Sequence, residues 1–286
     1  MMKIGYLGPS GSYSHEAACR YLVNAAAAGE CIAMSSFVAI IEGIEQGQLD
    51  HGVIPIENST HGAVATAMDD LVKLQNSTVC GEIVLNIEHC LLSMNDNIAD
   101  IKYVFSHEQA LGQCSEFFRE RYPHIQLINC GSTSQACEMA QKNGSAYGAV
   151  AGKAAAQLYH LSPVVENIQD NDFNQTRFLI IGTKALAATG DDKTSLVFAF
   201  HDDCPGSLFG VLKAFASRNI NLTRIESRPA KHSMGKYIFY IDFVGHAQDD
   251  NCAEAVKEMS SHVSWFKILG SYPAQLVKSI SKPTGQ

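Results

Sequence analysis

Apolar and polar positions follow two different rhythms along this chain. From residue 1 to about 184, short apolar runs alternate with stretches of helical spacing. The run 4–7 predicts a strand, followed by the loop Gly8-Pro9-Ser10-Gly11-Ser12 and a helix from Tyr13 that carries Ala17, Ala18 and Tyr21. Ser35 or Ser36 suits the N-cap of a helix over 37–46, with Val38, Ile41 and Ile44 on one face. Val53-Ile54-Pro55-Ile56 reads as a short strand whose Pro marks an end or an edge. Ser59 or Thr60 then starts a helix through Ala63, Ala67, Leu71 and Leu74.

A second set repeats the alternation. It predicts one long strand over 83–94, a strand at 103–105 leading into one helix over 107–121, and a strand over 125–128. A helix from the caps Ser132-Thr133-Ser134, a strand at 147–150 and an Ala-rich helix over 151–159 follow. Strands alternating with helices imply open parallel sheets with ligands at the carboxyl ends of the strands. Two such sets imply two lobes, roughly 1–78 with 160–184 and 79–159, around a cleft. Residues 185–193 are small and polar and read as a linker. The rhythm then changes to strand 195–200, helix 206–218, strands 222–227 and 237–244, helix 253–261 and strand 266–269. That order is βαββαβ, a ferredoxin-like domain over 194–275. The Ser, Lys and Pro of 276–286 read as a frayed tail.

Composition narrows the partners. The 286 residues suffice for about two domains, and 46% hydrophobic with 17% charged residues is a core-forming balance. A formal net charge of -8 argues against a nucleic acid or an anionic membrane as partner. A small anion would have to be held by local donors against that average field. No apolar run is long enough for a bilayer, and the strand-like start shows no signal peptide, so a cytoplasmic location is expected. The nine cysteines, Cys19, Cys31, Cys80, Cys90, Cys114, Cys130, Cys137, Cys204 and Cys252, form no C-x-x-C and no Cys/His set with zinc spacing. They read as reduced thiols, with no metal site. His61, His160 and His246 lack partners at ligand spacing and read as structural or solvated.

Candidate chemistry gathers in loops. Asn174-Gln175-Thr176-Arg177-Phe178 leads from a polar run into the apolar run 178–181, so a hydroxyl and a fixed cation sit at the mouth of a buried strand. Four more loops precede helices: Gly8-Pro9-Ser10-Gly11-Ser12-Tyr13-Ser14-His15, Pro55-Ile56-Glu57-Asn58-Ser59, Ser106-His107-Glu108-Gln109-Ala110-Leu111 and Ser132-Thr133-Ser134. Each offers free backbone N–H groups and the positive end of a helix dipole, so a carboxylate needs no Lys. Capping alone explains a serine at such a position equally well. His15 and His107 fit capping or supporting roles better than acid catalysis, and Lys153 reads as a solvated surface lysine.

These motifs, in this order over nearly the whole chain, resemble the prephenate dehydratase family. Glu226-Ser227-Arg228-Pro229, after Asn221-Leu222-Thr223, resembles that family's ACT regulatory domain. The resemblance implies an α/β fold with a two-lobed catalytic region like the type II periplasmic binding proteins, followed by the ferredoxin-like ACT domain. It implies decarboxylating dehydration of prephenate to phenylpyruvate in L-phenylalanine biosynthesis, without a cofactor, and inhibition by phenylalanine bound at an ACT interface of a homodimer or homotetramer. With no chorismate mutase region ahead of residue 1, the likeness is to the monofunctional form. Thr176, Glu57, Asn58 and Arg177 are the expected catalytic set. Thr176 would donate to the departing hydroxyl, Arg177 would hold a carboxylate, and Glu57 would be either a protonated donor or an orienter of Thr176. Ser10, Ser12, Tyr13, Ser59, Ser106, Gln113, Ser132, Thr133 and Phe178 are the expected substrate-binding set. Gly206, Ser207, Leu208, Asn221, Leu222, Glu226, Ser227, Arg228 and Pro229 are expected to bind the effector.

Some positions depart from the family pattern. Ser12 stands where Thr is usual, Glu108 where Pro is usual, and Asn129-Cys130-Gly131 lacks a carboxylate found there in some relatives. Gly206-Ser207-Leu208-Phe209 replaces a smaller Gly-Ala-Leu pattern. Two other readings remain: arogenate dehydratase, whose substrate has an amine in place of the ketone, and a non-catalytic amino-acid sensor.

Overall fold

A computed structural model describes residues 1–201, 204–230 and 236–274. The expected tail over 276–286, and residue 275 at the end of the expected C-terminal domain, lie outside the described residues. In chain order come β1 (Met2–Leu7), α1 (Tyr13–Asn24), β2 (Gly29–Met34), α2 (Phe37–Glu45), β3 (His51–Asn58), the short β4 (Gly62–Ala63), α3 (Ala65–Leu71) and β5 (Thr78–Asn86). Next are β6 (Cys90–Ser93), β7 (Tyr103–Ser106), α4 (Glu108–Gly112), α5 (Ser115–Arg121) and β8 (Gln126–Asn129). Then follow α6 (Thr133–Asn143), β9 (Tyr147–Ala151), α7 (Lys153–Leu158), β10 (Ser162–Val165) and β11 (Gln175–Gly182). Ser12, Ser36 and Ser132 start α1, α2 and α6, each side chain accepting from a backbone N–H of the first turn.

These elements build two sheets. One runs β2-β1-β3-β11-β5, with β4 on β3, and the other runs β10-β6-β9-β7-β8. β1 is parallel to β2 and β3, and β7 is parallel to β8 and β9, as strand–helix alternation implies. The second sheet is buried on both faces. Leu91, Val104 and Val150 pack on one side with Phe118, and Leu92, Phe105 and Ala149 on the other with Ala136 and Ala155. Full burial of each such Val, Leu or Phe stabilises by about 1.5–3 kcal/mol.

The C-terminal elements are β12 (Asp192–Ala199), α8 (Ser207–Ala216), β13 (Leu222–Pro229), β14 (Tyr237–Val244), α9 (Asp250–Ser260) and β15 (Trp265–Pro273). They form an antiparallel sheet, β13-β14-β12-β15. Leu196, Phe198, Ile241 and Phe243 from the strands share a core with Val211, Phe215, Val256 and Met259 from the helices. The architecture is the expected one: an α/β region built on two sheets, followed by a ferredoxin-like βαββαβ domain.

By compactness the chain divides into Met1–Val64 with Leu85–Phe178, and Ala65–Val84 with the chain from Leu179 onward. Both lobes' facing loops belong to the first unit. Within the second unit, the C-terminal sheet is tied to α3 and β5. Lys193 Nζ lies 2.8 Å from Glu82, whose side chain is fully buried. Arg228 reaches Asp69 at 3.3 Å, and the Tyr240 hydroxyl donates to the Met68 carbonyl at 3.0 Å. No helix among the described residues is long and apolar enough to cross a membrane.

Several elements differ from their sequence expectation. The stretch 83–94 is two strands in different sheets, because the chain between them bonds elsewhere. Ile87 N donates to the Asn174 carbonyl at 2.7 Å, and His89 N to Gln169 Oε1 at 2.9 Å. The helix expected over 107–121 breaks into α4 and α5. Asp170 caps the second piece by accepting from Glu116 N and Phe117 N, both at 3.1 Å. The helix expected from Ser59 starts only at Ala65, since β4 first folds back on β3. β2 and β10 went unseen because neither is a continuous apolar run. β10 pairs with β6, so 162–165 joins the second sheet, while β5 joins the first; the expected grouping of 160–184 and of 79–86 differs at these strands. Asp192 and Lys193 pair with β15 and are strand rather than linker.

Candidate active site

The end of β3 lies beside the start of β11. Ser59 N donates to the Gln175 carbonyl at 2.8 Å, and Gln175 N donates to Ser59 Oγ at 2.9 Å. Successive strand residues point to opposite faces, so Asn58 and Thr176 share one face and Glu57 and Arg177 the other.

The amide of Asn58 has only one sensible orientation. Its Oδ1 accepts from the backbone N–H groups of Thr60 and His61, both at 3.0 Å, and those groups can only donate. Its two Nδ2 protons are therefore shared among three acceptors, Thr176 Oγ1 at 2.9 Å, Asn174 Oδ1 at 2.9 Å and the Gln175 carbonyl at 3.1 Å. A threonine hydroxyl has one proton and two lone pairs. With Asn58 occupying a lone pair, the Thr176 proton is left to point at a ligand.

Asn58 and Thr176 line a cavity of about 230 Å³. Tyr13, Ile87, His89 and Asn174 continue its wall. The other side is made by the starts of two helices: His107, Gln109 and Ala110 from α4, and Gly131, Ser132 and Thr133 from α6. Ser132 Oγ accepts from Gln135 N at 3.0 Å, which leaves the earlier N–H groups of α6 for a ligand. Gln113 closes the wall, its Oε1 accepting from Asn174 Nδ2 at 3.1 Å and lying 2.8 Å from His89 Nε2. A more open space of about 420 Å³ shares Gln109, Gln113 and Asn174.

The lining carries hydroxyls, amides and imidazoles but no Lys, Arg, Asp or Glu. Burial lowers the His89 pKa, against the raising effect of its bond to Gln113, so this ring is neutral. Burial also pushes the Tyr13 hydroxyl well up, and that hydroxyl donates to the Glu88 carbonyl at 2.5 Å. On the opposite face Arg177 Nη1 lies 3.9 Å from Glu57 Oε2. This lining can hold an anion through dipoles and can offer a proton from one oriented hydroxyl.

The family description "Prephenate dehydratase" matches residues 4–186, and "ACT domain" matches residues 194–260. A prephenate dehydratase of Methanocaldococcus jannaschii is 36% identical over 271 residues, 94% of this chain and 97% of that one. The chain belongs to the prephenate dehydratase family. The crystal structure of a family member from Arthrobacter aurescens in complex with L-Phe has a TM-score of 0.86 at 29% identity, covering 96% of this chain and 90% of that one. A structure described as a novel type of quorum quenching acylase has a TM-score of 0.85 at 27% identity, covering 97% and 100%.

Measured against that family's motifs, the structure sorts the expected site residues. Tyr13, Asn58, Gln113, Ser132, Thr133 and Thr176 line the cavity. Ser10, Ser12, Ser59, Ser106 and Phe178 are not among its lining residues, and each has a structural task. Ser10 Oγ bonds the Tyr6 hydroxyl at 2.8 Å, Ser12 caps α1, and Ser59 Oγ donates to the Phe173 carbonyl at 2.9 Å. Ser106 Oγ donates to the Val150 carbonyl at 2.6 Å, and Phe178 is a core residue. Glu57 and Arg177 also stay off the lining, because strand alternation turns them to the other face; the residue that orients Thr176 is Asn58.

Ile87, His89, Gln109, Ala110, Gly131 and Asn174 also line the cavity and were in neither expected set; His89 and Asn174 are the two that bond within the network behind Thr176. Asn174 was visible inside its motif. His89 sat in what read as the middle of a strand, and no local signal marks it. Of the expected effector residues, Gly206, Ser207 and Leu208 begin α8, with Gly206 left-handed at φ 91°. Asn221 precedes β13, and Leu222, Glu226, Ser227, Arg228 and Pro229 lie on it, at the edge of its sheet. Elsewhere His15, Cys19 and Cys31 bring ligand-type atoms within 4.8 Å of one another, a grouping their spacing did not announce. His15 Nδ1 there already accepts from Gly11 N at 3.1 Å.

Proposed function

We propose that this protein converts prephenate to phenylpyruvate, with release of carbon dioxide and water. The observation that carries the reading is the Asn58–Thr176 hydrogen bond of 2.9 Å on the wall of a cavity free of formal charge. In the reaction, the bond from the ring to its carboxylate breaks and its electron pair makes the ring aromatic. The ring C–O bond breaks, and the hydroxyl leaves as water with a proton from Thr176 Oγ1. Solvent then returns a proton to Thr176. The N–H from Asn58 stabilises the negative charge that grows on that oxygen.

An uncharged lining suits this chemistry. The ring carboxylate must lose its charge as it leaves, and a Lys or Arg clamped on it would favour the ground state. Helix N-termini and amides can hold the side-chain carboxylate without that penalty. Ser132 and Thr133 are the assigned donors, with Gln113 and Tyr13 shaping the wall.

We further infer that L-phenylalanine inhibits through the ACT domain, bound between copies in a homodimer or homotetramer. The described complex of a homologue with L-Phe supports this reading. The candidate contacts are Gly206–Leu208 and the β13 residues named above, although Arg228 already holds Asp69. A cytoplasmic location goes with such a biosynthetic role, and no resident cofactor enters any step.

The test is a stopped assay for phenylpyruvate with purified protein and prephenate, with and without L-phenylalanine, run beside arogenate. Turnover of prephenate that falls with L-phenylalanine is expected. Turnover of arogenate alone would transfer the reading to arogenate dehydratase. Binding of amino acid without turnover of either substrate would leave a sensor.

A further inference from the structure

The hydrogen bonds behind Thr176 form a chain whose direction can be worked out link by link. Backbone N–H groups fix Asn58, so Asn58 Nδ2 donates to Asn174 Oδ1. Asn174 must then present Nδ2 to its other neighbour, Gln113, whose Oε1 receives it at 3.1 Å. Thr60 Oγ1 holds the same Asn174 oxygen at 3.3 Å. Gln113 Oε1 can therefore only accept, and the ring nitrogen 2.8 Å from it, His89 Nε2, must carry a proton. His89 Nδ1 is buried without a partner, so nothing stabilises a second proton there. The neutral Nε2–H tautomer is the one that satisfies every link.

We infer that His89 is a positioning residue for Thr176, acting through Gln113, Asn174 and Asn58; this rests on the proposed dehydratase reading. The ring is 2% exposed and held between Gln113 on its side chain and Gln169 on its backbone N–H. A rigid donor at that point gives Gln113 Oε1 a second N–H beside that of Asn174, while Gln113 Nε2 lies 3.3 Å from His61 Nδ1; without the His89 donor the amide is held less firmly in that orientation. A reversed Gln113 would set its N–H groups against those of Asn174. Asn174 would then shift, and the Asn58 N–H groups, whose Oδ1 stays held by Thr60 and His61, would be shared differently between Asn174 and Thr176.

A positioning role has signatures that simple packing lacks. His89→Phe removes the donor and keeps an aromatic ring; kcat for prephenate is expected to fall on the order of tenfold, with KM little changed. His89→Gln, which restores an N–H donor, is expected to recover part of the loss. In a Thr176→Val background the same His89→Phe change is expected to cost almost nothing, because the hydroxyl it serves is gone. NMR of protein labelled with ¹⁵N-histidine is expected to show His89 as the neutral Nε2–H tautomer, assigned by its loss in His89→Gln. Full kcat in folded His89→Phe overturns the inference, and so does an equal loss in the Thr176→Val background. An Nδ1–H tautomer overturns it without any activity measurement. A wild-type protein that makes no phenylpyruvate but shows the Nε2–H tautomer would sink the dehydratase reading and leave the chain of bonds intact.

Discussion

The two faces of the β3–β11 pair carry the same kind of adjacent residues but do opposite things. On one face Asn58 and Thr176 meet at 2.9 Å, uncharged, against a cavity. On the other, Glu57 and Arg177 approach at 3.9 Å and face away from it. By charge alone the second pair looks like the catalytic one. The comparison teaches that strand alternation, not chemical reputation, selects which residue of Glu57-Asn58 and of Thr176-Arg177 lines the cavity. The neutral face is the one that suits the proposed reaction, in which a carboxylate loses its charge.

That contrast can be broken in order of effect. Thr176→Val removes the proton donor and keeps the shape; kcat for prephenate should fall by about 10²–10⁴-fold in folded protein. Asn58→Asp keeps an acceptor for Thr60 and His61 but loses the donor to Thr176. Its kcat should fall by roughly 10–100-fold, with the helical content unchanged by circular dichroism. Arg177→Met and Glu57→Gln act on the far face, where the pair is long and Glu57 is half-exposed. Each should lower kcat by less than about tenfold, and Glu57→Gln should lower stability by about 1 kcal/mol or less.

The smallest effect is in stability against pH. Burial depresses the pKa of His89 and of His15. In the unfolded chain a histidine takes its proton near pH 6.5, before either folded ring does. The unfolded state therefore binds more protons as pH falls below about 6.5, and stability declines with it until the folded rings titrate. Melting temperature should drop over that window, and His89→Gln should make the drop shallower. An unchanged slope in His89→Gln would mean that the folded ring is not held neutral.

Much of this was legible in the sequence, for identifiable reasons. The strand–helix alternation and the later βαββαβ rhythm gave the architecture, because both periods are set by which faces are buried. Serine caps at Ser12, Ser36 and Ser132 were readable because the cap bond is local. The break at Ile87–His89 was not readable, since it depends on Asn174 and Gln169, more than seventy residues away. The split of 107–121 likewise depends on Asp170. In the site, the motif residues were visible but their facing was not. Thr176 and Arg177 are equal in sequence and opposite in space, and His89 reaches the cavity wall and Gln113 from a break in the strand pattern that no local signal marks.

The most direct test sets the two faces side by side in one assay. Phenylpyruvate formation from saturating prephenate is measured for wild-type protein, Thr176→Val and Arg177→Met, each shown to be folded. The account predicts a turnover loss at least about tenfold greater for Thr176→Val than for Arg177→Met. Equal losses, or a greater loss for Arg177→Met, would contradict it and move the chemistry to the charged face.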